Sequence, residues 1–322
     1  MKIINRNLLF KTFKIAAAAV VAILLAYILR LENPLSTGIV AILTIQPTKK
    51  ETFKTALGRL LAFICATVIA YACFQILGFN VPAFCVYLFI FIFICHICGW
   101  YSAMAMVSVL ISHFLLAKTM NIKLIANESA IFIIGAGVGL LANLHLKRNV
   151  DYMEELRNKT DSQIKKILSR MAERIIDKDI SDYNGECFDV LRDSIRKAKN
   201  LAEENYNNQL INGDTYDREY ICMREKQCFV LYEMYKSVRS METTPLTAEK
   251  ISGFLKDTAE AYHKDNTVEE LLEKFYELDK SMKNKPLPIE RTEFEDRARL
   301  YVLLRNIEEF LKLKSEFAKK YS

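Results

Sequence analysis

Acidic residues are nearly absent from the first 146 residues of the chain, which hold three Asp and Glu side chains against eleven Lys and Arg. No charged side chain at all occurs over the 58 residues from Leu60 to Ala117. At the usual rise per residue, a helix of that length spans about 87 Å, or roughly three crossings of a ~30 Å hydrocarbon layer. Because a soluble core needs no such run, residues 1–146 are predicted to form a membrane domain.

Signatures of nucleotide-driven and hydrolytic chemistry are also missing. The chain has no G-x-x-x-x-G-K-[ST] loop, no H-E-x-x-H motif and no nucleophile elbow. His96 lies between Cys95 and Cys98, but no second Cys/His cluster is evident to complete a zinc shell. The sequence therefore predicts no enzyme, no metal site and no cofactor.

Six apolar segments divide the first 146 residues, at about 12–30, 35–47, 53–77, 81–98, 99–117 and 128–146. The second is short, since the stretch 35–45 would extend only about 17 Å as a helix. If all six cross, ten basic residues fall on one side and three on the other; if the second merely re-enters, the split becomes six to seven. Basic residues concentrate on the cytoplasmic side, so six crossings with both ends in the cytoplasm are predicted.

From residue 147 onward the pattern changes to amphipathic helix, with 33 basic and 35 acidic side chains. Turn signals delimit six helices, near 150–179, 186–211, 214–241, 247–263, 267–283 and 289–320. The near-neutral charge of this part argues against nucleic-acid binding. The predicted fold is all-α, with a six-helix transmembrane domain over 1–146 followed by a cytosolic helical bundle over 147–322.

The turn after the second segment is the most informative stretch of the membrane part. Pro47 cannot continue a helix, and Thr48 with Glu51 has the spacing of a capping box that starts the third segment. The free N–H groups of that helix start then lie beside the basic residues Lys49 and Lys50. Such a place can hold an anion, or it is an ordinary cytoplasmic loop that follows the positive-inside rule.

Three further polar residues of the membrane part invite a functional and a structural interpretation. Arg59 lies about two turns into the third segment, where an unpaired charge is costly, so a functional or structural polar partner is expected. His113 lines a polar path or makes a helix-packing hydrogen bond. Glu128, placed at the start of the sixth segment, is a cap or a proton carrier, whereas Asn143 is interpreted as interfacial. Gly135 and Gly139 are predicted to mark close helix packing.

The chain resembles a known family in its first 80 residues. Phe10-Lys11-Thr12 before an alanine-rich helix, the Gln46-Pro47-Thr48 turn, Thr52 and Gly58-Arg59 are similar to the bacterial aromatic acid exporter family, which is related to fusaric-acid-resistance membrane proteins. The layout is similar to its branch with a short six-span domain and a helical cytosolic tail. The chain departs from the family pattern at Ala62 and Ala66, where glycines usually follow the arginine.

This resemblance implies efflux of aromatic carboxylates or similar weak organic anions across the bacterial plasma membrane, not driven by ATP through this chain. The predicted substrate-path residues are Gln46, Thr48, Lys49, Lys50, Arg59 and His113. The expected partners are the lipid bilayer, a small organic anion and further copies of the same chain. The alternative, from a different functional class, is a non-transporting membrane scaffold or sensor whose cytosolic helices bind partners.

Overall fold

Residues 6–144, 148–177, 183–210, 213–244, 247–263, 266–283 and 288–321 are described by the structure, a computed structural model. Within these residues the chain forms twelve α-helices and one short 3-10 turn, and no strand. The all-α prediction is confirmed. The chain divides into two compact units, residues 1–147 with 207–212, and residues 148–206 with 213–322. They are called here the N-terminal and the C-terminal unit.

Six helices make up the N-terminal unit. They are α1 (Arg6–Ile28), α2 (Leu35–Thr44), α3 (Lys49–Leu77), α4 (Val81–Cys98), α5 (Met104–Ala117) and α6 (Ile122–Leu144), and the 3-10 turn Tyr101–Ala103 precedes α5. Four stretches are long and apolar enough to cross a membrane, Leu9–Ile28 and the whole of α3, α4 and α6. The apolar helices Leu35–Thr44 and Tyr101–Ala117 are shorter. The described N-terminal unit thus contains four full-length candidate spans and two short apolar helices.

The start of α6 differs from the expectation. The sixth segment was expected to begin at Glu128, but the helix begins at Ile122. The side chain of Asn121 accepts a hydrogen bond from the backbone N–H of Leu124 at 2.8 Å, which caps the first turn. Glu128 therefore lies in the second turn of the helix and is fully buried, so its interpretation as an interfacial cap is wrong.

Glycines allow α2 to lie against α1 and α6 at very short range. A Cβ added at Gly135 would come within 2.6 Å of the carbonyl oxygen of Thr37, and one at Gly139 within 3.0 Å of the carbonyl oxygen of Ala41. On the other side, a Cβ at Gly38 would meet the side chain of Ile23 at 2.6 Å. Close backbone approach is how membrane helices gain packing energy without a hydrophobic drive between them. The packing role predicted for Gly135 and Gly139 is confirmed.

The C-terminal unit consists of six further helices with a shared apolar core. They are α7 (Val150–Ile176), α8 (Glu186–Asn207), α9 (Tyr216–Arg239), α10 (Ala248–Ala261), α11 (Glu269–Lys283) and α12 (Arg291–Tyr321). The helices expected from the amphipathic pattern are confirmed, with ends that shift by a few residues. The buried seam of α7, which includes Met153, Ile164 and Met171, joins the cluster that holds the unit together.

A fully buried arginine lies at the centre of this C-terminal core. Arg224 on α9 donates through Nε to Asp161 Oδ1 on α7 at 2.9 Å, and through Nη1 to Gln227 Oε1 at 2.7 Å. Its Nη2 donates to the hydroxyl of Tyr220 at 2.8 Å, and Nη1 also donates to the hydroxyl of Tyr262.

Both phenols of this network remain protonated. Burial raises the pKa of Tyr220 and of Tyr262 well above the usual value. The hydroxyl of Tyr220 therefore donates to Asp161 Oδ2 at 2.6 Å, and that of Tyr262 donates to Gln227 Oε1 at 2.8 Å. Helices α7 and α9 and the residue that ends α10 are thus joined by charge-assisted hydrogen bonds inside an apolar core.

Candidate transport site

The turn between α2 and α3 is held by a buried asparagine from the far end of the N-terminal unit. Asn143 near the end of α6 is 1% exposed. Its Nδ2 donates to the carbonyl oxygen of Gln46 at 2.8 Å and to the hydroxyl of Thr52. Its Oδ1 accepts from Lys14 Nζ of α1 at 2.7 Å. One side chain thereby ties together α1, the α2–α3 turn and α6, a structural role that the sequence did not reveal.

The local sequence explains why the turn offers its backbone to Asn143. Helix α2 ends at Thr44, and the extended backbone at Ile45 leads into Pro47. Thr48 then caps α3, because its hydroxyl accepts from the backbone N–H of Glu51 at 3.4 Å. The predicted start of α3 is confirmed, although the turn leaves the Gln46 carbonyl oxygen outside both helices, where Asn143 reaches it.

Two of the predicted substrate-path residues have structural contacts here. Thr48 is buried, and its carbonyl oxygen accepts from the hydroxyl of Thr52 at 2.8 Å. The side-chain amide of Gln46 donates to the carbonyl oxygen of Leu43 at 3.0 Å, which closes the end of α2. Lys49 and Lys50 are half-buried at the start of α3.

A cavity of about 640 Å³ opens beside this turn and is called here the turn cavity. It is lined by residues within the stretches 46–61 and 98–102. Lys54 brings a cation to the lining, Glu51 brings a carboxylate, and Trp100 brings the only tryptophan of the chain. Gln46 also lines it, whereas Lys49 and Lys50 do not. The turn cavity therefore combines an aromatic surface with a positive and a negative group.

Arg59 lies just behind the wall of the turn cavity. Its neighbour Gly58 and its partner Ser102 both line the cavity, whereas Arg59 itself is 4% exposed. Its Nε donates to the carbonyl oxygen of Ser102 at 3.1 Å, and its Nη1 is buried with no hydrogen-bond partner in the described part of the chain. The expected polar partner exists, but it satisfies only part of the guanidinium, which leaves an under-satisfied charge beside the cavity.

A second polar pair lies near the opposite end of α6. His113 Nδ1 on α5 lies 2.8 Å from Glu128 Oε2, and His113 Nε2 lies 3.4 Å from the hydroxyl of Ser36 on α2. The structure thus brings His113 together with Glu128 and not with the turn cavity. The six predicted substrate-path residues fall into two separate places, five around the α2–α3 turn and His113 beside Glu128.

Sequence reasoning missed Trp100 and Lys14 as parts of these places. Trp100 follows Gly99, whose φ of +71° ends α4 in the left-handed region and turns the chain toward the cavity. A lone tryptophan after a helix-ending glycine is a usable signal. Nothing in the sequence marks Lys14, because its partner Asn143 is 129 residues away.

The long apolar helices and the matches with known proteins define a multi-pass helical membrane protein of an exporter class. Residues 6–146 match the family described as "Aromatic acid exporter family member 1", and residues 151–315 match "Putative aromatic acid exporter C-terminal domain". The chain belongs to the aromatic acid exporter family, and the resemblance found in its sequence is confirmed. Family membership points to a transporter and not to an enzyme.

Two known proteins are similar to the chain. The "Uncharacterized protein YqjA" of Bacillus subtilis strain 168 is 30% identical over 308 residues, which cover 96% of this chain and 95% of that protein. A solved structure described as "putative membrane protein from Clostridium difficile 630" is 26% identical, with a TM-score of 0.48, and covers 53% of this chain and 99% of its own.

Proposed function

We propose that the protein exports aromatic monocarboxylates or related weak organic anions from the cytoplasm across the bacterial plasma membrane. The observation that supports this most is the composition of the turn cavity, in which Trp100 and Lys54 line one space. An aromatic ring packs on an aromatic surface, and an ammonium group attracts a carboxylate. A volume of about 640 Å³ accommodates a single-ring acid with its water.

The charges around the cavity suggest which anions it accepts. Lys54 lies in the lining and the under-satisfied guanidinium of Arg59 lies behind it, so a single negative charge is attracted. Glu51 places a carboxylate in the same lining, where it repels a second negative charge. We therefore expect aromatic monocarboxylates to be preferred over dicarboxylates of the same size.

Replacing Lys54 with glutamine should lower the transport efficiency for an aromatic acid about tenfold, mainly through a higher KM, because one charge-assisted contact is lost. Trp100→Leu should have an effect of similar size. The measurement is uptake of radiolabelled 4-hydroxybenzoate into proteoliposomes, compared with benzene-dicarboxylate. Lys123→Gln is the matched control, since Lys123 is an exposed lysine outside the cavity.

Two results would contradict the assignment. If the wild-type protein moves no labelled acid in any direction, the export function is wrong. If Lys54→Gln and Trp100→Leu transport as well as Lys123→Gln, the turn cavity is not the substrate site. Arg59→Ala belongs in the same series, because a cavity role predicts lost transport in protein that stays folded.

The proposal includes the membrane topology inferred from charge. All six apolar helices cross, both ends of the chain are cytoplasmic, and residues 147–322 form a cytosolic bundle. The ten-to-three distribution of basic residues supports this. Short α2 is covered by α1 and α6 on two sides, which supports a protein-lined place for a helix too short to face lipid alone. Further copies of the chain would complete the enclosure of the path.

Reporter fusions test the topology directly. A periplasm-active phosphatase fused after Gly78 is expected to be active, and one fused after Gly99 is expected to be inactive. If α2 only re-enters, every later segment is inverted and the two activities exchange. Green fluorescent protein at the same two positions supplies the opposite readout and controls for expression.

A second candidate function is a membrane scaffold or sensor whose C-terminal helices bind partners. One observation favours it, namely that Arg59 lies in the contact between α3 and the 3-10 turn and not in the cavity itself. This function predicts that the protein moves no aromatic acid and that Arg59→Ala lowers only the stability of the protein. The proteoliposome series above separates the two functions.

A further inference from the structure

Glu128 and His113 form an ionisable pair inside the N-terminal unit. Glu128 is 0% exposed and lies in the second turn of α6, which is one of the four full-length candidate spans. The facing His113 comes from α5, and Nδ1 of its ring lies 2.8 Å from the carboxylate. A buried carboxylate in a membrane-spanning helix is costly and rare, and such residues commonly mark ion or proton pathways.

Each polar atom of the pair has a neighbour in the described residues. Asn127 Nδ2 donates to Glu128 Oε1 at 3.1 Å, and the hydroxyl of Ser36 lies 3.4 Å from His113 Nε2. Asn127 also accepts from the backbone N–H of Glu32 at 2.8 Å, and Glu32 is exposed. A short chain of hydrogen-bonding groups thus leads from the buried carboxylate to the surface of the unit.

In the part of the chain that the structure describes, no other ion bonds to the pair. On the packed helices its direct partners are Ser36 and Asn127, which do not ionise, and Thr37 is buried beside Ser36. The charged side chains of the adjoining turns and helix ends, which are Arg30, Glu32, Lys118 and Lys123, are exposed. In the described residues of α1, α3 and α4, no ionisable side chain hydrogen-bonds to the pair.

This isolation makes the pair a site for one proton. With a neutral ring and an ionised carboxylate it carries one negative charge, and one added proton makes it neutral overall, either as carboxylate with imidazolium or as acid with imidazole. The neutral form costs less in a low-dielectric surrounding. Binding of a single proton therefore changes the net charge of a buried place without the help of another ion.

Helices α2 and α6 lead from this pair toward the turn cavity. Helix α2 has Ser36 at the pair and leads at its other end to Gln46, which lines the cavity, while α6 carries both Glu128 and Asn143. Fifteen residues of helix separate Glu128 from Asn143, or roughly 22 Å. A change in charge at one end of α2 and α6 therefore acts on helices whose opposite ends contact the α2–α3 turn, where Gln46 lines the cavity.

We propose that the His113–Glu128 pair binds the proton whose entry drives export, so that one proton moves inward for each aromatic anion that leaves. This rests on the proposed function. The proton is taken up by the pair from the outer side and released to the cytoplasm, and no other bond is made or broken. A negative interior favours both movements, because an anion leaves and a cation enters.

The test uses the full-length protein in proteoliposomes with radiolabelled 4-hydroxybenzoate and a pH-sensitive dye trapped inside. Glu128→Gln preserves the size of the side chain and its hydrogen bonds but cannot take up the proton. We expect the accumulation driven by an imposed pH gradient to fall at least tenfold in this variant, and the dye signal to fall with it. Exchange of labelled for unlabelled acid without a gradient should continue. Ser112→Ala is the control on α5, since the Ser112 hydroxyl bonds only within its own helix.

A second measurement on the wild type keeps the proposal testable if Glu128→Gln does not fold. It compares the two fluxes directly. We expect an imposed pH gradient alone to drive accumulation of the labelled acid, and the trapped dye to report one proton for each anion moved. Wild-type protein that accumulates the acid without moving protons would overturn the proposal.

The remaining outcomes separate the two proposals. If Glu128→Gln accumulates the acid and moves protons to the same extent as Ser112→Ala, the coupling role is wrong and export stands. A wild-type protein that moves protons across the vesicle membrane but no labelled acid contradicts export and leaves a proton pathway.

Discussion

Arg224→Ala is expected to lower the stability of the C-terminal bundle by about 3–5 kcal/mol, the usual cost of removing one partner from a buried ion pair. The substitution leaves the carboxylate of Asp161, which is 8% exposed, without its cation. It also removes the donor that the hydroxyl of Tyr220 and the amide oxygen of Gln227 share. No other residue of the described bundle contacts all of these groups.

Two cysteines of α9 make this loss measurable in the full-length protein. Cys228 is buried and Cys222 is exposed on the same helix, and burial raises the pKa of the Cys228 thiol, which slows its reaction further. Maleimide labelling followed by peptide mass spectrometry gives the rate of modification of each of the two cysteines. We expect the rate at Cys228 to rise roughly a hundred- to several thousandfold in Arg224→Ala, while the rate at Cys222 stays constant.

The adjacent residue provides the control. Glu225 pairs with Lys199 at 2.7 Å, but Lys199 is exposed and Glu225 partly exposed, and pairs in contact with solvent contribute about 0–1 kcal/mol. Glu225→Ala should therefore raise the labelling of Cys228 less than tenfold. Equal effects of the two substitutions would mean that the buried network does not hold the bundle together.

In the N-terminal unit the largest effect is expected for Gly135→Val. The new Cβ would lie 2.6 Å from the carbonyl oxygen of Thr37, and the same 2.6 Å from the Cβ of Val40, so α2 and α6 must separate. Forcing extra atoms into a close-packed contact costs about 1–3 kcal/mol, and a backbone neighbour that cannot rotate away places this case near the upper end. Transport should be lost as well, since both helices lead from the His113–Glu128 pair to the α2–α3 turn, where Gln46 lines the turn cavity.

Gly137→Val separates this steric effect from the effect of valine on the helix itself. A Cβ at Gly137 has no neighbour within 4 Å, although it lies on the same helix two residues further on. We expect it to unfold in detergent at nearly the wild-type temperature, and Gly135→Val to unfold several degrees lower. Similar melting of the two variants would show that the α2–α6 contact is looser than these distances imply.

Local signals made much of this fold predictable. The capped start of α3 and the helix breaks of the C-terminal unit depend on neighbouring residues, and both are confirmed. The glycine pair of α6 follows from a spacing of four residues and is confirmed as well. These features need no knowledge of which helix lies beside which.

The contacts that define the candidate sites depend on that knowledge. Asn143 meets Gln46 across 97 residues, and Lys14 meets Asn143 across 129. A single sequence gives each residue alone, as a polar side chain near a helix end, and so Asn143 is interpreted as interfacial. The start of α6 was predicted too late, at Glu128, because the first turn of the helix after its cap Asn121 is more polar than the rest of the segment.

The shortness of α2 has an electrical consequence. With ten residues it extends only about 15 Å, half the thickness of the hydrocarbon layer. If it crosses as proposed, water reaches closer to the midplane at both of its ends than it does along the longer helices. The membrane voltage then falls over a shorter distance, and the electric field across α2 is about twice that in the surrounding lipid. Charges at the two ends of this helix would therefore experience most of the membrane potential while moving only a short way.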